Sequence, residues 1–334
     1  MPTAKLNRLA YTISRCERCY INASSSSGYE ENQMRRCLLF FLLLSCAAVA
    51  QQAPTDAGIV ETPDVDLAYE TYGVPGSASP VIVANGGPGL SHVYMLQNDV
   101  WTRRVAQHRQ VVFYDQRGTG KSTRVAADAS FGMDAQVADM EAVRAKFGFH
   151  KFDLVGDSYG GLLAMAYAAA HPEHVERLVL SDSAAPAWKD IVRVLPDVFP
   201  DVLEQIAARE KSNTETDAAD QRIRDHFLML FYSEANRDAY LAGVKDLGSK
   251  PQVSAAVQKA TRTLDLTQEL AKFKFPALVI TGRYDMNVTP VTAWNIYKAI
   301  PGAKFVVFEK SGHLPAYEEP DKYVQVVDAF FSQP

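Results

Sequence analysis

The chain has 334 residues, 47% of them apolar and 22% charged, with a formal net charge of −5, an ordinary globular composition with ample material for a buried core. The first fifty residues carry an excess of three basic groups, so the remainder stands at −8, which excludes the basic footprint of a nucleic-acid binder. All four cysteines (Cys16, Cys19, Cys37 and Cys46) fall in those fifty residues, so the body needs no disulfide and has neither a cysteine nucleophile nor a cysteine metal site.

The N-terminal stretch reads as targeting rather than fold. Met34-Arg35-Arg36 is followed by an apolar run from Cys37 to Leu44 and then by Ala48-Val49-Ala50, the charged, apolar and small-residue order of a signal peptide. The uncharged stretch Cys37–Ala50 is shorter than the roughly 17–25 residues that span a bilayer, so no stable membrane span is expected. Residues 1–33 are expected to precede the true start of translation, with 34–50 removed near Ala50 and the protein exported to the periplasm or beyond. A lipoprotein anchored at Cys46 is the alternative. Cys16 and Cys19 have CxxC spacing, but no second pair or His cluster completes a zinc site.

From about residue 65, short apolar runs alternate with helical ones. Strands are predicted at Leu67–Tyr72, Val81–Ala84, Val111–Tyr114, Phe152–Val155, Leu178–Leu180, Ala277–Thr281 and Phe305–Phe308. Helices are predicted at Ala135–Phe147, with Asp134 as N-cap and Gly148 past its end, and at Gly161–Ala170, Val291–Ala299 and Pro320–Phe331. This alternation predicts an α/β fold with a mostly parallel, doubly wound sheet. Ala187–Phe273 breaks the rhythm: helical patterns dominate, clearest at Val202–Lys211 and Gln221–Tyr232, with a polar loop over Ser212–Asp220. The resulting division is core over 51–186, an inserted helical cap over 187–273, and core again over 274–334. A cap in that position covers the sheet's C-terminal edge, where open α/β sheets bind ligands.

Gly156-Asp157-Ser158-Tyr159-Gly160 fits G-x-S-x-G directly after a predicted strand and before a predicted helix, the context of a nucleophile elbow. Ser158 needs a base, and in such folds the order is serine, acid, histidine. Of the four histidines that follow it, His226 and His313 are the two beyond the predicted strand Leu178–Leu180. His226 falls within a cap helix pattern, whereas His313 sits in a loop just past a strand and is the candidate base. Asp285, just past Ala277–Thr281, is the candidate acid, with Asp182 as its rival. The oxyanion requires two backbone donors: Tyr159, after the nucleophile, and Gly87, in the Asn85-Gly86-Gly87-Pro88-Gly89 loop after Val81–Ala84. Asp115–Ser122 superficially resembles a nucleotide-binding loop, but Asp115 stands where the Walker pattern requires glycine, so it reads as a support for the Asn85–Gly89 loop.

Asn85–Gly89, Asp115–Ser122 and Gly156–Gly161, together with Gly282-Arg283-Tyr284-Asp285-Met286 and Ser311-Gly312-His313, resemble the prolyl aminopeptidase (proline iminopeptidase) family of α/β-hydrolases over about residues 65–332. The resemblance implies Ser158, Asp285 and His313 as a triad, Gly87 and Tyr159 as oxyanion donors, and release of an N-terminal residue, often proline, from small peptides. Two departures stand out. Asn85 occupies a position where the family has histidine. The cap acids Glu204, Glu210, Glu215, Asp225 and Glu234 match no context of the family's amino-group-binding glutamates, and Arg224 stands where an acid is expected. The expectation is a cofactor-free serine hydrolase acting on short peptides. Hydrolysis of an ester, lactone or other small acyl compound is the alternative, and a non-catalytic receptor of the same fold is a third reading.

Overall fold

A computed structural model describes residues 52–333 except 213–217 and 245. The leader over 1–33, the targeting segment over 34–50 with Cys46, and most of the polar stretch Ser212–Asp220 lie outside the described residues. Eight strands form one sheet: β1 (Asp56–Glu61), β2 (Asp66–Tyr72), β3 (Val81–Ala84), β4 (Val111–Tyr114), β5 (Phe152–Asp157), β6 (Val175–Ser181), β7 (Ala277–Gly282) and β8 (Lys304–Phe308). Their spatial order is β1-β2-β4-β3-β5-β6-β7-β8. β1 pairs with β2 and β2 with β4 antiparallel, and the remaining pairs are parallel.

The central strands read as continuous apolar runs because both faces are covered. Val81 and Val83 of β3 join a cluster with Phe113, Val155, Val179, Ile280 and Trp101. Ile82 and Ala84 of the same strand join another with Tyr114, Leu154, Leu180 and Val279. The strand period of two thus feeds two cores from one sequence. Helix α1 (Met133–Phe147) and α2 (Tyr159–Ala170) pack into the second cluster. Gly132, not Asp134, takes the N-cap position of α1, with Asp134 in the first turn, and Gly148 closes the helix at φ 67°.

The stretch after β6 carries no strand among the described residues beyond an isolated bridge between Ala187 and Asp265. It holds α3 (Pro200–Ser212), α4 (Ala218–Phe227), α5 (Glu234–Gly243) and α6 (Pro251–Thr261). α4 ends at Phe227, short of the predicted Tyr232. Leu195, Phe227, Leu230, Tyr240, Val244 and Leu247 of this insertion form a third apolar cluster with Leu90, Tyr94 and Leu314 of the core loops, which fastens the helices over the strand ends. The core closes with α7 (Pro290–Ala299) and α8 (Pro320–Phe331), the latter burying Tyr323, Val327, Phe330 and Phe331. No described helix is long and apolar enough to cross a membrane.

Candidate active site

Ser158 sits at the turn between β5 and α2 with φ 53° and ψ −119°, a backbone region that non-glycine residues rarely adopt. Three bonds hold it there: Ser158 N–H donates to Ser181 O (3.0 Å), while Ser158 O accepts from Gly161 N (3.0 Å) and Ala184 N (2.8 Å). The turn closes only because glycine follows it. A Cβ at Gly160 would lie 2.0 Å from Ala84 O, and one at Gly161 would lie 1.9 Å from Ser183 Oγ. This local strain lifts the Ser158 hydroxyl, half-buried, into the cavity beneath the helical insertion.

His313 Nε2 lies 3.1 Å from Ser158 Oγ, and His313 Nδ1 lies 2.6 Å from Asp285 Oδ2. The Asp285 carboxylate fixes the proton on Nδ1, leaving the Nε2 lone pair for the serine hydroxyl. The other oxygen of Asp285 accepts the N–H groups of Asn287 and Val288, each at 2.9 Å. Burial works against a charged His313, but the adjacent Asp285 outweighs it and raises the imidazole's pKa. Asp182 lies close by, fully buried at φ 45°, with Oδ1 accepting Gly282 N–H at 2.8 Å. Burial first, then the charge of Asp285, pushes the Asp182 carboxyl well up. The bond to His313 Nδ1 belongs to Asp285. Asp182, Asp285 and His313 are the one group among the described residues with converging metal-type ligands, and the hydrogen bonds above already engage Asp285 and His313.

Gly87 and Tyr159 both line the cavity that holds Ser158. Tyr159 opens α2, so its N–H has no acceptor within the helix, and its hydroxyl is anchored on Gln136 Oε1 at 2.8 Å. Gly87 has φ 125°, which turns this loop's backbone in a way a side chain would resist. Asn85 closes the loop by donating to Gly86 O (2.9 Å) and Leu90 O (3.0 Å). Gln116 donates to Asn85 O at 2.7 Å, so the Asp115–Ser122 loop does support this segment.

Other side chains complete the site. Tyr94 O–H donates to Asp157 Oδ2 at 2.5 Å, and the Tyr94 hydroxyl oxygen accepts Gly86 N–H at 2.6 Å; burial pushes the Asp157 carboxyl up to about 6. Asn287 Nδ2 stands 3.3 Å from His313 Nε2. Glu318 accepts N–H groups from Gly312 (2.7 Å), Ser233 (2.8 Å) and Tyr232 (3.1 Å), tying the histidine loop to the insertion. Tyr94 and Glu318 lie in short helical turns and Asn287 in a loop, with no spacing pattern to mark them. His226 lines the cavity from the end of α4. Burial, with the nearby charges of His313 and Arg193, pushes it down to about 4, so it is neutral at pH 7.

The cavity has a volume of about 300 Å³, the size of a small-molecule site. Its walls combine Leu90, Trp188, Phe227 and Leu230 with Arg193, Arg222 and His226. Among the described residues its acid is Asp157; no carboxylate of the helical insertion lines it.

The sheet, the strained serine after β5, and the acid and histidine after β7 and β8 define an α/β-hydrolase, and residues 79–320 match the α/β hydrolase fold family. The similarity is more specific than the fold. A proline iminopeptidase of Saccharolobus solfataricus is 31% identical over 284 residues, 80% of this chain and 90% of that one. Another, from Heyndrickxia coagulans, is 30% identical over 288 residues, 82% and 98% of the two chains. The chain therefore belongs to the proline iminopeptidases of the α/β-hydrolase family. Among solved structures, an α/β fold family hydrolase from Bacillus anthracis superimposes with a TM-score of 0.68 at 23% identity, covering 82% of this chain and 99% of that one. The enol-lactonase of Burkholderia xenovorans LB400 superimposes with a TM-score of 0.63 at 22% identity, covering 80% and 97%.

Proposed function

We propose that the protein is a serine aminopeptidase that releases an N-terminal residue, proline first, from short peptides through an acyl-enzyme. The observation that carries the reading is the relay Ser158–His313–Asp285, with 3.1 and 2.6 Å links, in a chain related to proline iminopeptidases. Ser158 Oγ attacks the carbonyl of the first residue as His313 Nε2 takes its proton. The N–H groups of Gly87 and Tyr159 receive the negative charge that develops on the carbonyl oxygen. His313 then gives the proton to the departing amine, which would leave as a poor leaving group without it. Water, deprotonated by the same histidine, attacks the acyl-serine and frees the amino acid. Asp285 stabilises the imidazolium at each proton transfer. The export signal read over residues 34–50 supports action outside the cytoplasm.

A second reading is ester or lactone hydrolysis of a small acyl compound. The observation favouring it is the basic lining, Arg193 and Arg222 with neutral His226, where an amino-group pocket would present carboxylates. The two readings part on product analysis. Incubated with Pro-Ala-Phe and its N-acetylated counterpart, the full chain is expected to release free proline from the first only, as read by mass spectrometry. Cleavage of both peptides alike, or of neither while p-nitrophenyl butyrate is turned over, overturns the aminopeptidase reading.

A further inference from the structure

Arg193 differs from the other well-defined arginines near the core. Arg109 is paired with Asp153 and Arg117 with Asp139. No described carboxylate forms an ion pair with Arg193, although this residue belongs to the lining of the cavity that holds Ser158. The side chain is exposed to the cavity, yet the surrounding protein desolvates it enough to lower its pKa, with Asp285 acting in the other direction from a distance. Asp285 is not its ion-pair partner: its two oxygens accept from His313, Asn287 and Val288.

The backbone around Arg193 is fixed while the side chain is uncommitted. Val192 N–H donates to Thr292 Oγ1 at 3.0 Å. Val192 O accepts Thr289 N–H at 3.1 Å, and Val194 and Leu195 donate to Met286 O at 3.0 and 3.2 Å. Residues on both sides of Arg193 are therefore laced to the segment that follows the acid. A guanidinium on an anchored backbone at a pocket wall, with no counter-ion among the described residues, is an anion site awaiting its anion.

Its position selects which part of a substrate it meets. In the proposed reaction His313 protonates the departing amine, so the departing residue lies on the His313 side of Ser158. Val194 and Leu195, next to Arg193, are bonded to Met286 beside Asp285, the partner of His313, which places Arg193 on the acid–histidine side of the cavity. We propose that Arg193 binds the free C-terminal carboxylate of the departing residue, which makes dipeptides with an N-terminal proline the preferred substrate class. The inference rests on the aminopeptidase reading. A guanidinium fork matches a carboxylate with two parallel hydrogen bonds, and the positive lining that suits an ammonium poorly suits the other end of a zwitterionic dipeptide.

The test compares kcat/KM for Pro-Gly, Pro-Gly amide and proline p-nitroanilide in the full chain and in Arg193→Gln and Arg193→Lys. The intact protein is expected to prefer Pro-Gly over its amide by about tenfold or more, the size of one charge-assisted contact. Arg193→Gln brings that ratio to near one, and Arg193→Lys keeps part of it. A ratio near one in the intact protein overturns the proposal without reference to any variant, and so does an unchanged ratio in Arg193→Gln. Anilide turnover with Pro-Gly and its amide cleaved equally removes the proposal and leaves the aminopeptidase reading standing. Turnover of none of the three removes both.

Discussion

His313 Nε2 has two neighbours in reach, Ser158 Oγ at 3.1 Å and Asn287 Nδ2 at 3.3 Å, and the proton on Nδ1 decides that both meet a lone pair. Replacing Asp285 with Asn removes the charge that sets this tautomer, and kcat is expected to fall about 10³- to 10⁴-fold. The same variant has a second signature. A base must be neutral, and Asp285 raises the imidazole's pKa above the ordinary 6.5, so the acidic limb of kcat/KM in the intact protein lies above that value. In Asp285→Asn the limb moves to lower pH even as the rate falls. A limb that stays in place or moves up contradicts the relay. Tyr94→Phe removes the oxygen shared by Gly86 N–H and Asp157, leaving buried polar groups unpaired at about 1–3 kcal/mol each. Because Gly86 adjoins the proposed oxyanion donor, kcat is expected to drop roughly 10- to 100-fold with a smaller change in KM, as steady-state kinetics on an anilide substrate would show. Ser158, Asp285 and His313 were legible in the sequence because each follows a strand and stands in a glycine-marked turn. Tyr94, Asn287 and Glu318 were not, because their roles arise from where distant loops meet.

At the scale of elements, the elbow is the least forgiving feature. Gly160→Ala places a Cβ 2.0 Å from Ala84 O, which is backbone of a central strand and has nowhere to move. The variant is expected to lose about 3 kcal/mol or more of stability, read as a lower midpoint in urea unfolding; an unchanged midpoint would show that β3 and α2 can separate without penalty. The central strands were legible for the reason that makes this so, since burial on both faces demands uninterrupted apolar residues. β1 was invisible by the same logic. It is an edge strand with Val60 as its only buried residue, so Asp56–Glu61 shows no alternation to detect. The end of α4 was misplaced because Leu228–Tyr232 continues the apolar pattern while the chain leaves the helix to hand Leu230 O to His313 N–H at 2.7 Å.

Across the whole molecule, the antiparallel flank of the sheet is joined to the loops near the site by buried charge. His92 Nδ1 lies 2.8 Å from Asp115 Oδ1 and His92 Nε2 lies 3.4 Å from Glu70 Oε2. Burial disfavours the imidazolium, but the two carboxylates prevail and raise His92 to about 9, while the bond to His92 leads in lowering Glu70 to about 2. The His92 contribution to stability is complete below its ordinary 6.5 and is lost as pH rises through about 9. The Glu70 contribution is complete above its ordinary 4.5 and is lost as pH falls through about 2. Thermal stability is therefore expected to decline from pH 6.5 to 9 in the intact protein and to decline less in His92→Gln. Equal slopes in a thermal unfolding series would contradict this. The fold class followed from the alternation of strand and helix, but the contents of the cavity did not, because helical patterning in the insertion says which faces are apolar and nothing of which charges face Ser158.

The most direct measurement is release of p-nitroaniline from proline p-nitroanilide by the full chain beside Ser158→Ala. Turnover by the intact protein, reduced at least about 10³-fold in the variant, is the expected result. Equal rates in the two proteins, or ester hydrolysis by the intact protein with no anilide hydrolysis, would contradict it.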